Sequence, residues 1–103
     1  MIKFSAMYPN RQGGRFDHAY YENVHLPMVK DKLGAHCLRY EMDKPITTSA
    51  SPPAYVAVAH IYFESMASFK AGFAPYAAVF QADTTNYTDI TPVVQFSEVT
   101  VSG

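Results

Sequence analysis

The chain has 103 residues, of which 49% are hydrophobic and 15% aromatic, and its formal net charge at pH 7 is −1. This length and composition are typical of one globular domain and exclude a disordered or collagen-like chain. The charged residues are scattered singly along the sequence, so neither nucleic acid nor an anionic membrane surface is an expected partner.

No apolar run approaches the roughly 18 residues that span a membrane, and residues 1–10 lack the apolar segment and cleavage site of a signal peptide. We therefore expect a cytoplasmic protein that does not bind membranes. The single cysteine, Cys37, cannot form an internal disulfide or a thiolate zinc cluster, and the histidines lack the spacing of a metal site. Neither a metal nor another cofactor is expected.

The first half of the chain predicts a strand, a helix and a second strand. The segment IKFSAMYP, residues 2–9, alternates apolar and polar side chains with a period of two. After a loop, Asp17 is well placed as the N-cap of a helix that runs to Leu33 and ends at Gly34. The segment HCLRYEMD, residues 36–43, alternates again and is predicted to be the second strand.

The second half predicts a surface connection over residues 44–53, then a strand, a helix and a final strand. The segment AYVAVAHIYF, residues 54–63, is apolar on both faces, which is typical of a central strand. Ser65 is the expected N-cap of the second helix, and Pro75 should bend or divide that helix because proline donates no backbone hydrogen bond. Residues 92–102 are predicted to form the last strand.

The order β-α-β-β-α-β over residues 1–103 predicts a single ferredoxin-like α+β domain. In this fold two helices cover one face of a four-stranded antiparallel sheet, and the other face is left bare. Because the third strand is apolar on both sides, we expect the bare face to pack against a second copy of the chain. The sequence therefore predicts a homodimer.

The segment FDHAYYENVHLP, residues 16–27, contains the strongest candidate for a reactive group. One row of side chains spaced four residues apart is apolar and should face the sheet; it consists of Phe16, Tyr20, Val24 and Met28. The adjacent row contains Tyr21 and His25, at the margin of the buried face. These two side chains are expected to be neighbours at the edge of a pocket.

Pro27 should make the helix kink or pause at His25. Proline removes one backbone donor and biases Leu26 away from the helical conformation, so carbonyl groups near Asn23 would lose their partners. Two interpretations of His25 remain open. The imidazole could cap those carbonyls, or it could project into a pocket as a general acid or base, since a histidine pKa of about 6.5 suits proton transfer at neutral pH.

Five further side chains are candidates for contact with a ligand: Tyr8, His60, Phe80, Asp83 and Asn86. His60 lies within an apolar strand, where it is either a hydrogen-bonded core residue or a second polar group in the pocket. Asp83 and Asn86 follow the second helix and are typical of caps and turns, or could reach the pocket. Tyr8 and Phe80 are expected in the core, and a cavity with a polar edge would give a buried phenol its hydrogen-bond partner.

The order of these segments resembles the EthD family. The resemblance rests on the first strand ending in MYP, on FDHAYYENVHLP, of which YYENVHLP is the most specific part, and on DTTNYTD before the last strand. It implies a dimeric αβ barrel, in which two subunits press their bare sheet faces together and each holds a cavity between helices and sheet. It also implies that His25 is the histidine of the family's H-x-P motif and that Asp83 and Asn86 lie in its acidic-polar segment.

From the residues and the resemblance together, we expect a small enzyme that acts without a cofactor on a small hydrophobic or aromatic oxygenated metabolite. His25 would exchange a proton with the substrate and Tyr21 would orient it, in an isomerisation, cyclisation, dehydration or quinone-forming oxidation. The alternative is a non-catalytic protein that binds such a ligand or assists a degradative or secondary-metabolite pathway. A ligand-binding protein would use the same cavity, whereas an accessory protein would use its dimer surface.

Overall fold

The structure is a computed structural model that describes residues 1–48 and 50–103. One antiparallel sheet contains four strands in the spatial order β2-β3-β1-β4. The strands are β1 (Ile2–Pro9), β2 (Arg39–Asp43), β3 (Tyr55–Phe63) and β4 (Val93–Glu98). Two helical segments pack on one face of the sheet, which confirms the predicted ferredoxin-like α+β fold. Ser49, in the predicted connection between β2 and β3, lies outside the described residues.

The first helical segment covers residues 18–33. It consists of α1 (His18–Tyr20), a π-helical turn (Tyr21–His25) and α2 (Leu26–Leu33). As predicted, Asp17 is the N-cap, and its carboxylate accepts a hydrogen bond of 3.0 Å from the backbone N–H of Tyr20. Gly34 ends the segment with a φ of +57°, a conformation that favours glycine because other residues rarely adopt it.

The helix is irregular at His25, as predicted, but it continues through Pro27, and the predicted departure of Leu26 from the helical conformation is wrong. Leu26 keeps helical backbone angles (φ −63°, ψ −41°), and its N–H bonds to the carbonyl of Tyr21, five residues earlier. Pro27 then lies in the first turn of α2, where a missing N–H is tolerated. The chain accommodates the proline by inserting a π turn rather than by ending the helix.

The π turn also changes which side chains face the sheet. In a regular α-helix that ends at Leu33, Glu22 would lie on the buried face. The π turn adds one residue to a turn of the helix, and this rotates Tyr21 and His25 onto the buried face instead. Tyr21 is 2% exposed and His25 is 6% exposed, whereas Val24 of the expected sheet-facing row is 47% exposed. The expected orientation of the two rows is therefore wrong, and the pair expected at the margin lies in the interior.

The second helical segment is divided at Pro75, as predicted. Its parts are α3 (Met66–Phe73), a 3-10 turn (Ala74–Tyr76), α4 (Ala77–Asp83) and another 3-10 turn (Thr84–Asn86). Ser65 is its N-cap and accepts a hydrogen bond of 3.1 Å from the N–H of Ser68. Three strands are shorter than predicted: β2 starts at Arg39, after a 3-10 turn (Gly34–His36), β3 starts at Tyr55, and β4 extends only from Val93 to Glu98.

The two faces of the sheet differ in character. The face under the helices is apolar and includes Ala59 and the fully buried Phe63. On the bare face, three polar side chains from β1, β3 and β2 contact one another in a row. The hydroxyl of Ser5 lies 2.8 Å from Nδ1 of His60, and Nε2 of His60 lies 3.3 Å from the carboxylate of Asp43. Within the described residues, no helix is long and apolar enough to cross a membrane.

Candidate active site

A cavity of about 590 Å³ lies between the helical segments and the sheet. Its floor includes Ala6 of β1 and Ala59 of β3, whose small side chains leave space above the central strands. Aromatic side chains form much of the wall. The volume falls within the range of roughly 300–1,000 Å³ that is usual for small-molecule sites.

His25 lines this cavity and is held from behind by Asp83. Nδ1 of the imidazole lies 2.8 Å from Oδ2 of Asp83. An ionised carboxylate can only accept a hydrogen bond, so Nδ1 carries the proton of the neutral ring and Nε2 keeps its lone pair. No hydrogen bond from the described residues reaches Nε2. This atom is therefore the one available to a ligand in the cavity.

The carboxylate of Asp83 has two further donors besides His25. Its Oδ1 accepts hydrogen bonds from the hydroxyl of Tyr20 (2.7 Å) and from the side-chain amide of Asn86 (2.9 Å). Burial is the largest single influence and by itself raises the pKa of Asp83, but the hydrogen bonds from Tyr20, His25 and Asn86 together hold the pKa below its ordinary value. Asp83 is therefore ionised at neutral pH.

The environment of His25 favours its neutral form. Burial lowers the pKa of His25 below its ordinary value, and this effect outweighs the opposing influence of the Asp83 carboxylate. At neutral pH the ring therefore presents an unprotonated Nε2 to an apolar cavity. An imidazole in this state can accept a proton, and the neighbouring carboxylate stabilises the imidazolium that forms.

A group of three phenols adjoins the imidazole. The ring of His25 stacks on Tyr21, with 5.3 Å between ring centroids and 13° between planes, and lies 4.6 Å from the ring of Tyr87. The hydroxyls of Tyr87 and Tyr8 are hydrogen-bonded at 2.8 Å. Burial raises the pKa of all three phenols well above the ordinary value, so their hydroxyls stay protonated. This corner of the cavity offers polar hydrogens within apolar walls.

A sequence profile of the EthD domain matches residues 15–91, the region that contains His25, Asp83 and Tyr87. The chain belongs to the EthD family. This match confirms the family that the segments FDHAYYENVHLP and DTTNYTD indicate. Among proteins with curated functional descriptions, none matches the chain significantly.

Solved structures resemble this EthD chain over nearly its whole length. An EthD-like protein from Ralstonia eutropha JMP134 is 44% identical with a TM-score of 0.93, and the alignment covers 99% of this chain and 94% of that chain. An ethyl tert-butyl ether D (EthD) family protein from Bacillus halodurans C-125 is 14% identical with a TM-score of 0.72, covering 95% and 97%. HapK from Hahella chejuensis is 19% identical with a TM-score of 0.62, covering 100% and 96%. The last two show similarity of fold alone.

Four of the candidate residues of this EthD family member line the cavity: Tyr8, Tyr21, His25 and Phe80. Tyr21 is the neighbour of His25, as expected from their spacing. Asp83 and Asn86 lie behind His25 and do not line the cavity. The structure gives these two residues a supporting place in the site rather than the predicted contact with a ligand.

The expected position of His60 in the cavity is wrong. Side chains alternate along β3, so Ala59 and Ile61 face the helices and the cavity, while His60 points to the bare face. There it contacts Ser5 and Asp43. His60 is a partly buried, hydrogen-bonded residue of the opposite surface.

Two residues of the site were not identified from the sequence. Tyr20 was expected to pack on the sheet, but its hydroxyl supports Asp83. Tyr87 lies in a polar segment that is typical of turns, yet it is 1% exposed. Its carbonyl accepts a hydrogen bond of 2.7 Å from the N–H of Asp17, which ties this segment to the start of α1. An aromatic residue within a polar segment was the only available signal.

Proposed function

We propose that the protein is a cofactor-independent enzyme that moves a proton on a small hydrophobic or aromatic oxygenated compound, with Nε2 of His25 as the acid–base atom. The observation that carries this proposal is the hydrogen bond between Asp83 and Nδ1 of His25 in the wall of an apolar cavity. It orients the imidazole and leaves one basic nitrogen for the substrate.

The electrostatic balance of the pair supports proton transfer. Before the reaction the site holds a carboxylate and a neutral imidazole, and after Nε2 accepts a proton it holds an ion pair at 2.8 Å. The charge that forms on the ring is compensated by Asp83 without rearrangement of the site. The apolar walls strengthen this interaction because they keep the local dielectric low.

A non-catalytic protein that stores such a compound is the alternative. The buried hydroxyls of Tyr8 and Tyr87 favour it, since they can hold an oxygenated ring whether or not a proton moves. The two functions differ in one observable: an enzyme changes or exchanges an atom of the bound compound, whereas a storage protein releases it unchanged.

Deuterium exchange tests the proposal. The protein is incubated in D₂O buffer with a panel of aromatic ketones, lactones and phenols, and incorporation at carbon is followed by NMR. We expect exchange above the buffer rate for at least one class. The rate should rise with pH through a pKa below the ordinary value of about 6.5 and then level off, because only neutral imidazole accepts a proton and burial lowers the pKa of His25.

Binding without exchange at any pH would establish the storage function instead. Absence of both binding and exchange across the panel would contradict both functions. A rate that is greatest at low pH would contradict a general base with a depressed pKa.

We further propose that the protein is a homodimer formed through the bare face of the sheet. This face includes Met7 and Val58, which pair across β1 and β3 and are both partly buried already in the single chain. Sedimentation at low micromolar concentration should show a species of about twice 11.5 kDa. Only an 11.5 kDa species would contradict the dimer.

A charged side chain in the middle of this face should weaken the dimer. Met7→Arg is expected to reduce association by about 10²-fold or more, because the guanidinium would lose its water in the interface, and the one carboxylate in its cross-strand row, Asp43, already contacts His60. Val24→Arg is the matched control, since Val24 is 47% exposed on the helical side. Sedimentation of the two variants at the same concentrations measures the difference.

A further inference from the structure

The hydroxyls of Tyr8 and Tyr87 together carry two protons, and the hydrogen bond between them uses only one. In their 2.8 Å hydrogen bond one hydroxyl donates to the other, and the acceptor keeps a proton for a third atom. Tyr21 adds a hydroxyl beside that of Tyr8, and Thr84 adds one beside that of Tyr87; each brings a proton of its own, so the row as a whole still has one proton to donate at its end. Among the described residues its acceptor is the carbonyl of Phe80, 3.4 Å from Oγ1 of Thr84, which is long for a hydrogen bond between oxygens. An acceptor oxygen of a ligand in the cavity would take a phenol proton at a shorter distance.

The residues that carry this proton line the same cavity as His25, whose Nε2 is basic. Tyr8, Tyr21, Tyr87 and His25 all line the cavity, and the rings of Tyr21 and Tyr87 contact the imidazole. The two polar functions are opposite in kind, since the phenols offer hydrogen-bond donors and Nε2 offers a lone pair. A ligand that satisfies both presents an acceptor oxygen close to an acidic hydrogen.

The charge of the cavity narrows the class of ligand. No Lys or Arg is among the described residues that line it, and Asp83 already carries a negative charge behind His25. A carboxylate ligand would therefore lose its hydration without a cationic partner. An uncharged compound avoids this cost.

We propose that the Tyr8–Tyr87 hydroxyl pair is the subsite for a carbonyl oxygen, and that the substrates are uncharged aromatic or alicyclic compounds with a C–H bond next to that carbonyl. This inference rests on the proposed proton transfer by His25. The C–H bond breaks, its proton goes to Nε2, its electron pair forms the new C=C bond, and the π electron pair of the carbonyl moves onto oxygen. The resulting enolate oxygen accepts the phenol hydrogen bond. Return of the proton to another carbon completes an isomerisation, whereas replacement of the proton on Nε2 by a solvent deuteron and its return to the same carbon completes an exchange.

The hydrogen bond becomes stronger as the reaction proceeds. A carbonyl oxygen carries a partial charge, whereas the enolate oxygen carries most of a full charge, so a preorganised donor stabilises the enolate more than the ketone. The phenols remain protonated because burial raises their pKa. They therefore donate a hydrogen bond without competing as bases.

Paired ligands test the subsite. The protein is titrated with 1-tetralone and with tetralin, which has the same ring skeleton without the oxygen. We expect the ketone to bind about tenfold more tightly, as is usual for one well-made hydrogen bond. The C=O stretching frequency of bound 1-tetralone should be lower than in an apolar solvent.

The double variant Tyr8→Phe/Tyr87→Phe should abolish both the binding preference and the frequency shift. Removing both partners leaves neither of these two hydroxyls unsatisfied. The hydroxyl of Tyr21 loses its neighbour Tyr8, and that of Thr84 keeps its backbone acceptor. Folding should therefore persist, and a thermal unfolding scan of the variant checks it. A single variant is less informative because the remaining phenol could still donate to the ketone. Tyr55→Phe, at a partly exposed ring outside the cavity wall, is the matched control and should keep both signals.

Deuterium exchange in the same samples separates this inference from the proposed function. His25→Gln should lose exchange at the carbon next to the carbonyl and keep the preference for the ketone. A preference that disappears with the two phenols while the wild type exchanges no deuterium would support the subsite and contradict the enzyme. A ketone preference that survives the double variant, or that is absent from the wild type, would overturn the subsite.

Discussion

Replacing His25 with alanine is expected to slow proton exchange on a bound substrate by about 10²–10⁴-fold, which is the usual contribution of a positioned general base. The variant loses the nitrogen that accepts the proton. It also leaves Asp83 without the partner that its charge stabilises. Initial rates of deuterium incorporation at a pH above the pKa of His25, measured with saturating ligand, give the effect directly.

Controls separate proton transfer from loss of structure. His25→Gln keeps a side-chain N–H that can reach Asp83 and fills part of the space next to Tyr21, so its rate should fall while its unfolding transition stays close to that of the wild type. His36→Gln is the matched surface control, because His36 is exposed and bonds to Ser68 outside the cavity. Retention of the wild-type rate in both His25 variants would remove His25 from the mechanism.

The fold follows from local signals that agree with one another. Asp17 and Ser65 cap the helices that their positions predict, and Pro75 divides the second helical segment. The period of two in residues 2–9 predicts β1 without error at either end. Such signals depend on the backbone needs of a few neighbouring residues, which the sequence displays directly.

The orientation of His25 depends on interactions that the local sequence does not display. Pro27 is compatible both with the end of a helix and with a π turn, and the choice between them depends on which side chains can be buried. The bond from His25 to Asp83 joins residues 58 positions apart. The H-x-P pattern therefore singled out His25 as the candidate, but it did not show the π turn that places this side chain in the wall of the cavity.

The two mistakes about the cavity have a common cause. A strand that is apolar on both faces shows which residues alternate, but it does not show which set faces the helices, so His60 was placed on the wrong side. The polar neighbours of Tyr87 are typical of a turn and give no sign that its side chain is buried. This burial accompanies a hydrogen bond from the N–H of Asp17 to the carbonyl of Tyr87, which joins two distant parts of the chain.

Asp83→Asn is expected to reduce the exchange rate by about 10²-fold or more, although the substitution preserves the shape of the side chain. Two effects act in the same direction. The uncharged amide no longer stabilises the imidazolium, and its NH₂ group can donate to Nδ1, which would place the ring proton on Nε2 and block the basic nitrogen.

The pH profile of Asp83→Asn distinguishes catalytic positioning from structural support. The carboxylate raises the pKa of His25 against the larger lowering effect of burial, so its removal should lower this pKa further. The rising limb of the profile should therefore move to lower pH while the plateau falls. NMR titration of the His25 ring measures the same shift without a substrate.

Asp31→Asn provides the matched control for the loss of one carboxylate. Asp31 lies on the exposed face of α2, and its replacement should leave the rate, the plateau and the rising limb unchanged. A purely structural Asp83 would give a variant with a lower unfolding temperature but an unshifted profile. That result would mean that the hydrogen bonds among Tyr20, Asn86 and Asp83 contribute to stability alone. The charge of the Asp83 carboxylate would then have no measurable effect on His25.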